Sequence, residues 1–339
     1  MQLFIYNLLK NSYFTNMKKE KQNFNQAVAA GGVPLECVTC DAGQSLFGFM
    51  DGVIADMQIL GRMRIAESYA STLRSFKRFR KDEDVDIGRI DDTLIIGYEK
   101  FLHNSGVCHN SSSFYMRNLR AVYNRAVDEG ITVQRSPFKH VYTGIDRTRK
   151  RAVTIRVMRQ IKEIDLRGKR NLEFARDMFL FSFYTRGMSF VDMAMLQKDD
   201  LRDGVLSYCR RKTGQQLVVN WEQCMQDIVD KYIDEATGKF LLPIIKRDDR
   251  DVRKQYLYAA HNVNIALKAI GHRLKLSQPL TMYVARHTWA SAAKSMQVPL
   301  SVISEGMGHD SEETTRIYLL SMTSSAVDNA NRQIIKQLR

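Results

Sequence analysis

Apolar residues recur three and four positions apart from about Leu46 to Ile131, the period of helices with one buried face. In "SSSFYMRNLRAVYNRAVDEG" the residues Tyr115, Leu119, Val122 and Ala126 fall on one stripe, and Arg117, Arg120 and Asn124 on another. The serines ahead of this run predict an N-cap and Gly130 a C-cap. Between 132 and 152 the periodicity fails in "TVQRSPFKHVYTGIDRTRKRA", then resumes from Thr154 through "NLEFARDMFLFSFY". "GVLSYCRRKTGQQLVVNW" alternates apolar and polar residues in two runs about a Lys-Thr-Gly turn, which predicts a hairpin. The expected class is mainly α with a small antiparallel sheet. Its parts are an arm over 1–45, a helical domain over 46–138, a basic linker over 139–153, a mixed α/β domain over 154–322, and a tail over 323–339. In that tail Ile334, Ile335 and Leu338 stand at helical spacing.

Charge narrows the partner. Lys and Arg number 51 against 37 Asp and Glu, a net +14 over 339 residues, and such an excess points to nucleic acid. The excess occurs in both long segments, with 17 basic and 13 acidic residues over 46–150 and 30 and 21 over 151–339, as expected if both touch one polyanion. Arg74, Lys77, Arg78 and Lys81 would form a ridge on one helix, and Arg117 and Arg120 a second. Lys150 and Arg151, with Arg147 and Arg149, would follow a phosphate backbone from the linker. Such ridges also occur as plain solvated faces.

Five cysteines make no disulfide framework and suit a reducing compartment. Cys37 and Cys40 lack the second ligand pair that zinc would need. The apolar opening "MQLFIYNLLKNSYF" is too short to span a bilayer, so no membrane role is expected.

Chemistry concentrates in four stretches of the second domain: Arg186 in "FYTRGMSFVDMAML", Lys212 in "CRRKTGQQ", Tyr283 and Arg286 in "TMYVARHTWASAAK", and His309 with Tyr318 in "MGHDSEETTRIYLLS". Taken singly, an arginine is commonly a surface or paired residue, a turn lysine solvated and a tyrosine within "RIYLL" core. Together they suit attack of a phenol on a phosphodiester. Charge grows on the non-bridging oxygens at the transition state, and guanidinium offers planar, permanent donors for it. A phenol with a pKa of about 10 needs a cationic setting or a base. A lysine at a mobile turn can protonate the leaving 5′-oxygen. No metal or other cofactor enters this scheme.

This ordered set resembles the signature of the tyrosine recombinase, or phage integrase, family. "ARHTWAS" and "GMGHDSEETTRIY" are similar to two of its boxes, with 23 residues from Arg286 to His309 and nine from His309 to Tyr318. The likeness runs over most of 46–322 and implies a helical, SAM-like core-binding domain followed by a catalytic domain. By that resemblance Tyr318 would form a 3′-phosphotyrosyl bond, Arg186, Arg286 and His309 would hold the scissile phosphate, and Lys212 would protonate the 5′-hydroxyl. It further implies double-stranded DNA as partner, a monomer when free, a homo-tetramer in synapsis, DNA-bending accessory proteins in some members, and a bacterial, DNA-associated cytoplasmic enzyme. Three positions depart from the family pattern. Tyr283 stands where His is usual, Gly187 follows Arg186 instead of preceding it, and Ser189 replaces an acidic residue, which leaves Asp192 as the expected brace for Arg186. His287 is expected to be structural support. The alternatives are a non-catalytic DNA-binding protein on the same fold and a type IB topoisomerase.

Overall fold

A computed structural model describes residues 44–146, 151–236, 238–247 and 249–320, leaving aside the side chains of Tyr318 and Leu320. The arm before residue 44, with Cys37 and Cys40, Lys150 of the linker, and the tail from 321 lie outside the described residues. Chain contacts divide the protein into two units, ending at Asp146 and beginning at Arg147.

The first unit holds α1 (Leu46–Ile59), α2 (Met63–Arg80), α3 (Asp92–Asn104) and α4 (His109–Asp128). Short polar caps start two of them: Ser45 Oγ accepts from Gly48 N–H at 2.8 Å and Asp91 from Leu94 N–H at 2.8 Å, satisfying amides that have no partner within the helix. The core centres on Phe76 and Tyr98, whose rings meet edge to face at 5.0 Å, and the buried Tyr98 hydroxyl donates to Ser75 Oγ at 2.9 Å.

Helix α4 differs from expectation at its start. Cys108 is the N-cap residue, and Ser112 and Ser113 lie buried inside the helix. Ser113 instead donates to the Gly144 carbonyl at 2.5 Å, so a tertiary contact takes the hydroxyl that local reasoning assigned to capping. Leu119, Val122 and Ala126 are buried as the stripe requires, whereas Tyr115 is only partly covered. At the other end Gly130 adopts φ +76° and Ile131 N–H closes on Ala126 O at 2.9 Å, the expected glycine stop. Residues 139–146, assigned above to the linker, pack with this unit, because Phe138 and Val141 complete its core.

The second unit runs α5 (Ile155–Glu163), α6 (Arg170–Tyr184), α7 (Phe190–Met195), the strands β1 (Leu201–Arg202), β2 (Val205–Cys209) and β3 (Gln216–Asn220), then α8 (Gln223–Lys231), α9 (Val252–Arg273), α10 (Met282–Ser295), α11 (Leu300–Met307) and α12 (Glu312–Leu320). The sheet is antiparallel in the order β1-β2-β3, with Cys209 opposite Gln216 and Val205 opposite Asn220. Its alternation places Leu206, Tyr208, Leu217 and Val219 in the core, as the period of two predicts. The core joins Phe179 and Phe181 of α6 to Leu267 and Ile270 of α9 and Val284 and Ala285 of α10. Helix α10 is buried without a break from Val284 to Thr288, so this stretch carries a charge into the interior. Thr288 Oγ1 also receives Val153 N–H at 3.1 Å, tying the entry of the unit to this helix. A smaller cluster of Ala290, Ile303, Met307 and Leu319 seats α11 and α12. No helix of the described residues is long and apolar enough to cross a membrane.

On α6 the buried Asp177 carboxylate accepts from Arg176 Nε at 2.8 Å, Lys231 Nζ at 2.7 Å and the Tyr232 hydroxyl at 2.8 Å. Asp177→Ala would leave these donors facing an apolar gap. We expect a loss of about 3 kcal/mol, read as a lowered midpoint of urea unfolding at pH 7.

Candidate active site

The site begins where α6 stops. Two successive residues there, Arg186 at φ +60° and Gly187 at φ +77°, take the left-handed conformation. Ser182 holds both sides of the bend, since its carbonyl receives Gly187 N–H at 2.7 Å and its hydroxyl donates to Met188 O at 2.7 Å. A side chain at position 187 would put Cβ 2.8 Å from the Arg286 Cα, so α10 can pass only because this residue is glycine. That contact accounts for a glycine following the arginine in this chain.

The close approach delivers Arg286 to its acceptors. Its guanidinium, in a residue 4% exposed, donates from Nη1 to Gly187 O at 2.8 Å and from Nη2 to Met307 O at 2.6 Å. Nη2 also stands 3.1 Å from His309 Nε2. The Met307 carbonyl is at the C-terminus of α11, where the helix carries partial negative charge. Gly308 then turns left-handed, φ +62°, and sets His309 back against Arg286. Arg186 reaches the same place from the other side: its Nη1 donates to Val218 O at 3.2 Å, and its Cδ lies 3.6 Å from a Cβ built on Gly306.

The tautomer of His309 follows from its neighbours. A guanidinium only donates, so Nε2 accepts from Arg286 and the proton sits on Nδ1, which faces the fully buried Thr315 Oγ1 at 2.7 Å. Burial, followed by the charges of Arg286, Arg210 and Lys212, pushes the His309 pKa down to about 4. The imidazole is therefore neutral near pH 7. Thr315 lies one turn before Tyr318 on α12, so His309 is tied to the helix that carries the candidate nucleophile. The backbone of Tyr318 is helical, and its side chain lies outside the described residues.

Arg186, Arg286 and His309 are thus brought together. Lys212 is exposed in the turn between β2 and β3, and its charge is felt at His309. Tyr283, 54% exposed, is one turn before Arg286 on α10 and rests edge-on against His287 at 4.7 Å. His287 is buried behind it, in keeping with the supporting role expected of it. Asp192 does not brace Arg186. Its Oδ1 accepts from Arg211 N–H at 3.0 Å and its Oδ2 from the Ser189 hydroxyl at 2.6 Å, because the start of α7 and the hairpin root reach it first.

Two residues that sequence reasoning missed belong here. Arg210 is buried and donates from Nη1 to Gly308 O, and Thr315 fixes the His309 ring. Thr315 sits within the quoted His-to-Tyr box and could have been found there. The first arginine of "CRRKTG" gives no local sign of burial.

In the first unit Arg74, Arg78 and Arg120 are exposed and Arg117 is half-buried, while Arg151 is exposed in the second. Lys77 departs from the ridge. Its ammonium lies 3.9 Å from Asp51 and 5.1 Å over the Phe47 ring, so its stem covers apolar surface on α1. Among the described residues no three His, Cys, Asp or Glu side chains gather as a metal ion would require.

The chain as a whole is similar to known families and structures. Residues 45–142 match the profile described as the phage integrase SAM-like domain, and residues 158–324 that of the phage integrase family. No curated protein sequence matches the chain. Among solved structures, the fold is similar to a lambda integrase tetramer bound to a Holliday junction, with TM-score 0.62 and 15% identity over 82% of this chain and 78% of that one. It is also similar to the Tn1549 transposon integrase in complex with transposon right end DNA, with TM-score 0.59 and 12% identity over 87% and 100%. A third is the XerH site-specific recombinase bound to palindromic difH substrate, with TM-score 0.60 and 14% identity over 83% of each chain.

The lowered His309 pKa has a consequence for stability. An unfolded histidine titrates near 6.5, so as pH falls from about 6.5 towards 4 the unfolded chain takes up a proton that the folded site refuses. This contribution is fully present above pH 6.5 and declines on the acid side. An NMR titration of His309 should give a midpoint near 4, and His309→Gln should flatten the fall in stability over the same window.

Proposed function

On the premise that the chain belongs to the phage integrase, or tyrosine recombinase, family, we propose that it is a site-specific recombinase that cuts and rejoins double-stranded DNA through a covalent phosphotyrosine. In this reading Tyr318 gives its phenolic proton to water and its oxygen attacks the scissile phosphorus, so that a bond forms from that oxygen to phosphorus and the bond to the 5′-oxygen breaks. Lys212 gives the leaving oxygen its proton. Rejoining reverses the steps with the 5′-hydroxyl of the partner strand. The energy of the phosphodiester stays in the phosphotyrosyl bond, so no ATP is consumed.

The observation that best supports the reading is the convergence of Arg186, Arg286 and His309 around two helix ends, with the backbone of Tyr318 one turn beyond the threonine that orients His309. Guanidinium groups offer planar, paired donors suited to an anion with two non-bridging oxygens. Bound phosphate would favour protonation of His309, allowing the ring to donate instead of accept. Tyr283 takes the place of the usual histidine ahead of Arg286 and offers a phenolic donor rather than a base.

By the same reading the helical unit over 46–138 grips DNA through Arg74, Arg78, Arg117 and Arg120, with Lys150 and Arg151 on the backbone between the domains. Arg74 and Arg78 are open to solvent, as phosphate contact needs. A catalytic domain over 154–322 and a tail over 323–339 complete the scheme. Four protomers would assemble on two duplexes, and the tail, with Ile334, Ile335 and Leu338, would pack on a neighbour.

Two experiments test this reading. Tyr318→Phe should bind its site as the parent does and form no covalent adduct on a nicked suicide substrate, and undiminished adduct would reject the nucleophile. An adduct-free parent protein would favour a DNA-binding role, and relaxation of a two-site plasmid with no exchanged product would favour a topoisomerase. Deleting residues 326–339 should spare single-site binding and abolish synapsis in a gel-shift assay with two sites; an unchanged yield of recombinant would refute the tail's role.

A further inference from the structure

Between β2 and β3 the turn carries more than Lys212. Arg210 opens it, 7% exposed, with its backbone N–H on Gln215 O at 2.8 Å and its own carbonyl receiving Gly214 N–H at 2.7 Å. No carboxylate of the described residues pairs with its guanidinium. Nη1 instead crosses to the Gly308 carbonyl, immediately before His309. The fit there is close, since a Cβ on Gly308 would stand 2.8 Å from Leu217 Cδ1 and 3.1 Å from Arg210 Cδ. A charge with so little solvent is costly, and a solvated lysine or serine would close this turn as well. The next residue is held too, since Arg211 N–H bonds the buried Asp192, whose other oxygen takes the Ser189 hydroxyl. The two residues before Lys212 therefore connect the turn to both halves of the site. Arg210 reaches the His309 segment, and Arg211 reaches the segment that follows Arg186.

We propose that Arg210 is the positioning residue for Lys212, fastening the root of the β2–β3 turn to the Gly308 carbonyl so that the exposed ammonium is presented to the leaving 5′-oxygen. Backbone bonds close the turn beyond the root, with Thr213 N–H and Gly214 N–H both on Arg210 O at 3.3 and 2.7 Å. Thr213 Oγ1 and Gln215 Oε1 are buried without a hydrogen-bond partner, so the side chains beside Lys212 add no polar anchor of their own. Because the turn is closed on the Arg210 backbone, the side-chain contact of Arg210 with Gly308 sets where Lys212 begins its reach. Asp192 holds the adjacent amide and is neither a base nor a brace for Arg186 in this arrangement.

The proposal rests on the assignment of Lys212 as general acid, and one substrate separates the two. When the 5′-bridging oxygen is replaced by sulfur, the leaving thiolate needs no proton. Lys212→Ala should then cleave ordinary DNA about 100- to 10,000-fold more slowly, the range for a lost general acid, and recover on the 5′-thio substrate. Arg210→Ala and the stem-retaining Arg210→Lys should lose about 10- to 100-fold on ordinary DNA, a fraction of that range, and recover likewise. His309→Ala, which removes a phosphate ligand, should not recover. Single-site binding and the thermal unfolding midpoint, measured on every variant, identify any that misfold; the Lys variant keeps the packing stem if Ala does not fold. Recovery of both Arg210 variants supports the proposal. If Lys212→Ala recovers and folded Arg210 variants stay slow on the thio substrate, as His309→Ala does, Arg210 serves the phosphate clamp and the proposal is wrong. If Lys212→Ala itself fails to recover, the general-acid assignment has failed, which also removes the basis for Arg210.

Discussion

A guanidinium buried on α10 is the constraint from which the rest of the second unit follows. Arg286 is 4% exposed and its acceptors are the carbonyls of Gly187 and Met307 and the ring of His309. The two carbonyls satisfy N–H groups that burial would otherwise leave without water. Its positive charge helps to lower the His309 pKa, after the larger effect of burial. To supply those carbonyls the chain must stop α6 at Thr185 and α11 at Met307. Both stops use left-handed residues, Arg186 with Gly187 and Gly308, so the bends serve the charge and also end the helices.

Two buried carboxylates of the described residues are held by donors of their own. Asp192 is buried within the same region and is committed to a backbone amide and a serine hydroxyl. Its negative charge raises the pKa of Tyr208, after the larger effect of burial, so the residue is electrostatically present without pairing with Arg186. Asp177, the other deeply buried carboxylate of the unit, is consumed by Arg176, Lys231 and Tyr232.

How much of this could be read from the sequence depends on distance along the chain. The hairpin with Lys212 at its turn, the glycine stop after α4 and the nine residues from His309 to Tyr318 are local patterns, visible because strand alternation and helix ends are written in neighbouring residues. The convergence of Arg186, Arg286 and His309 was legible only through their order, which resembles that of a family. What escaped were contacts decided by distant partners. Ser113 looked like a cap until Gly144 took its hydroxyl, Lys77 looked like ridge until Asp51 and Phe47 drew it aside, and Asp192 looked like a brace until the hairpin root claimed it. Arg210 escaped for the same reason, since the Gly308 carbonyl that buries it is 98 residues away.

The conformation of Arg186 completes the physical picture. A non-glycine residue at φ +60° costs on the order of 1 kcal/mol or more relative to the right-handed form. It persists because Ser182 bonds both flanks and because Arg286 leaves no room for another path past Gly187. Had α6 continued for another turn, the Gly187 carbonyl would have pointed along its axis and bonded within the helix. The bend instead aims that carbonyl at Arg286 and turns the Arg186 side chain towards Val218 on β3. The strain thus fixes two guanidiniums at once, one through the carbonyl and one through the backbone that carries it. Relaxing it with glycine at 186 would lose the second charge, and blocking it with alanine at 187 would lose the carbonyl contact of the first.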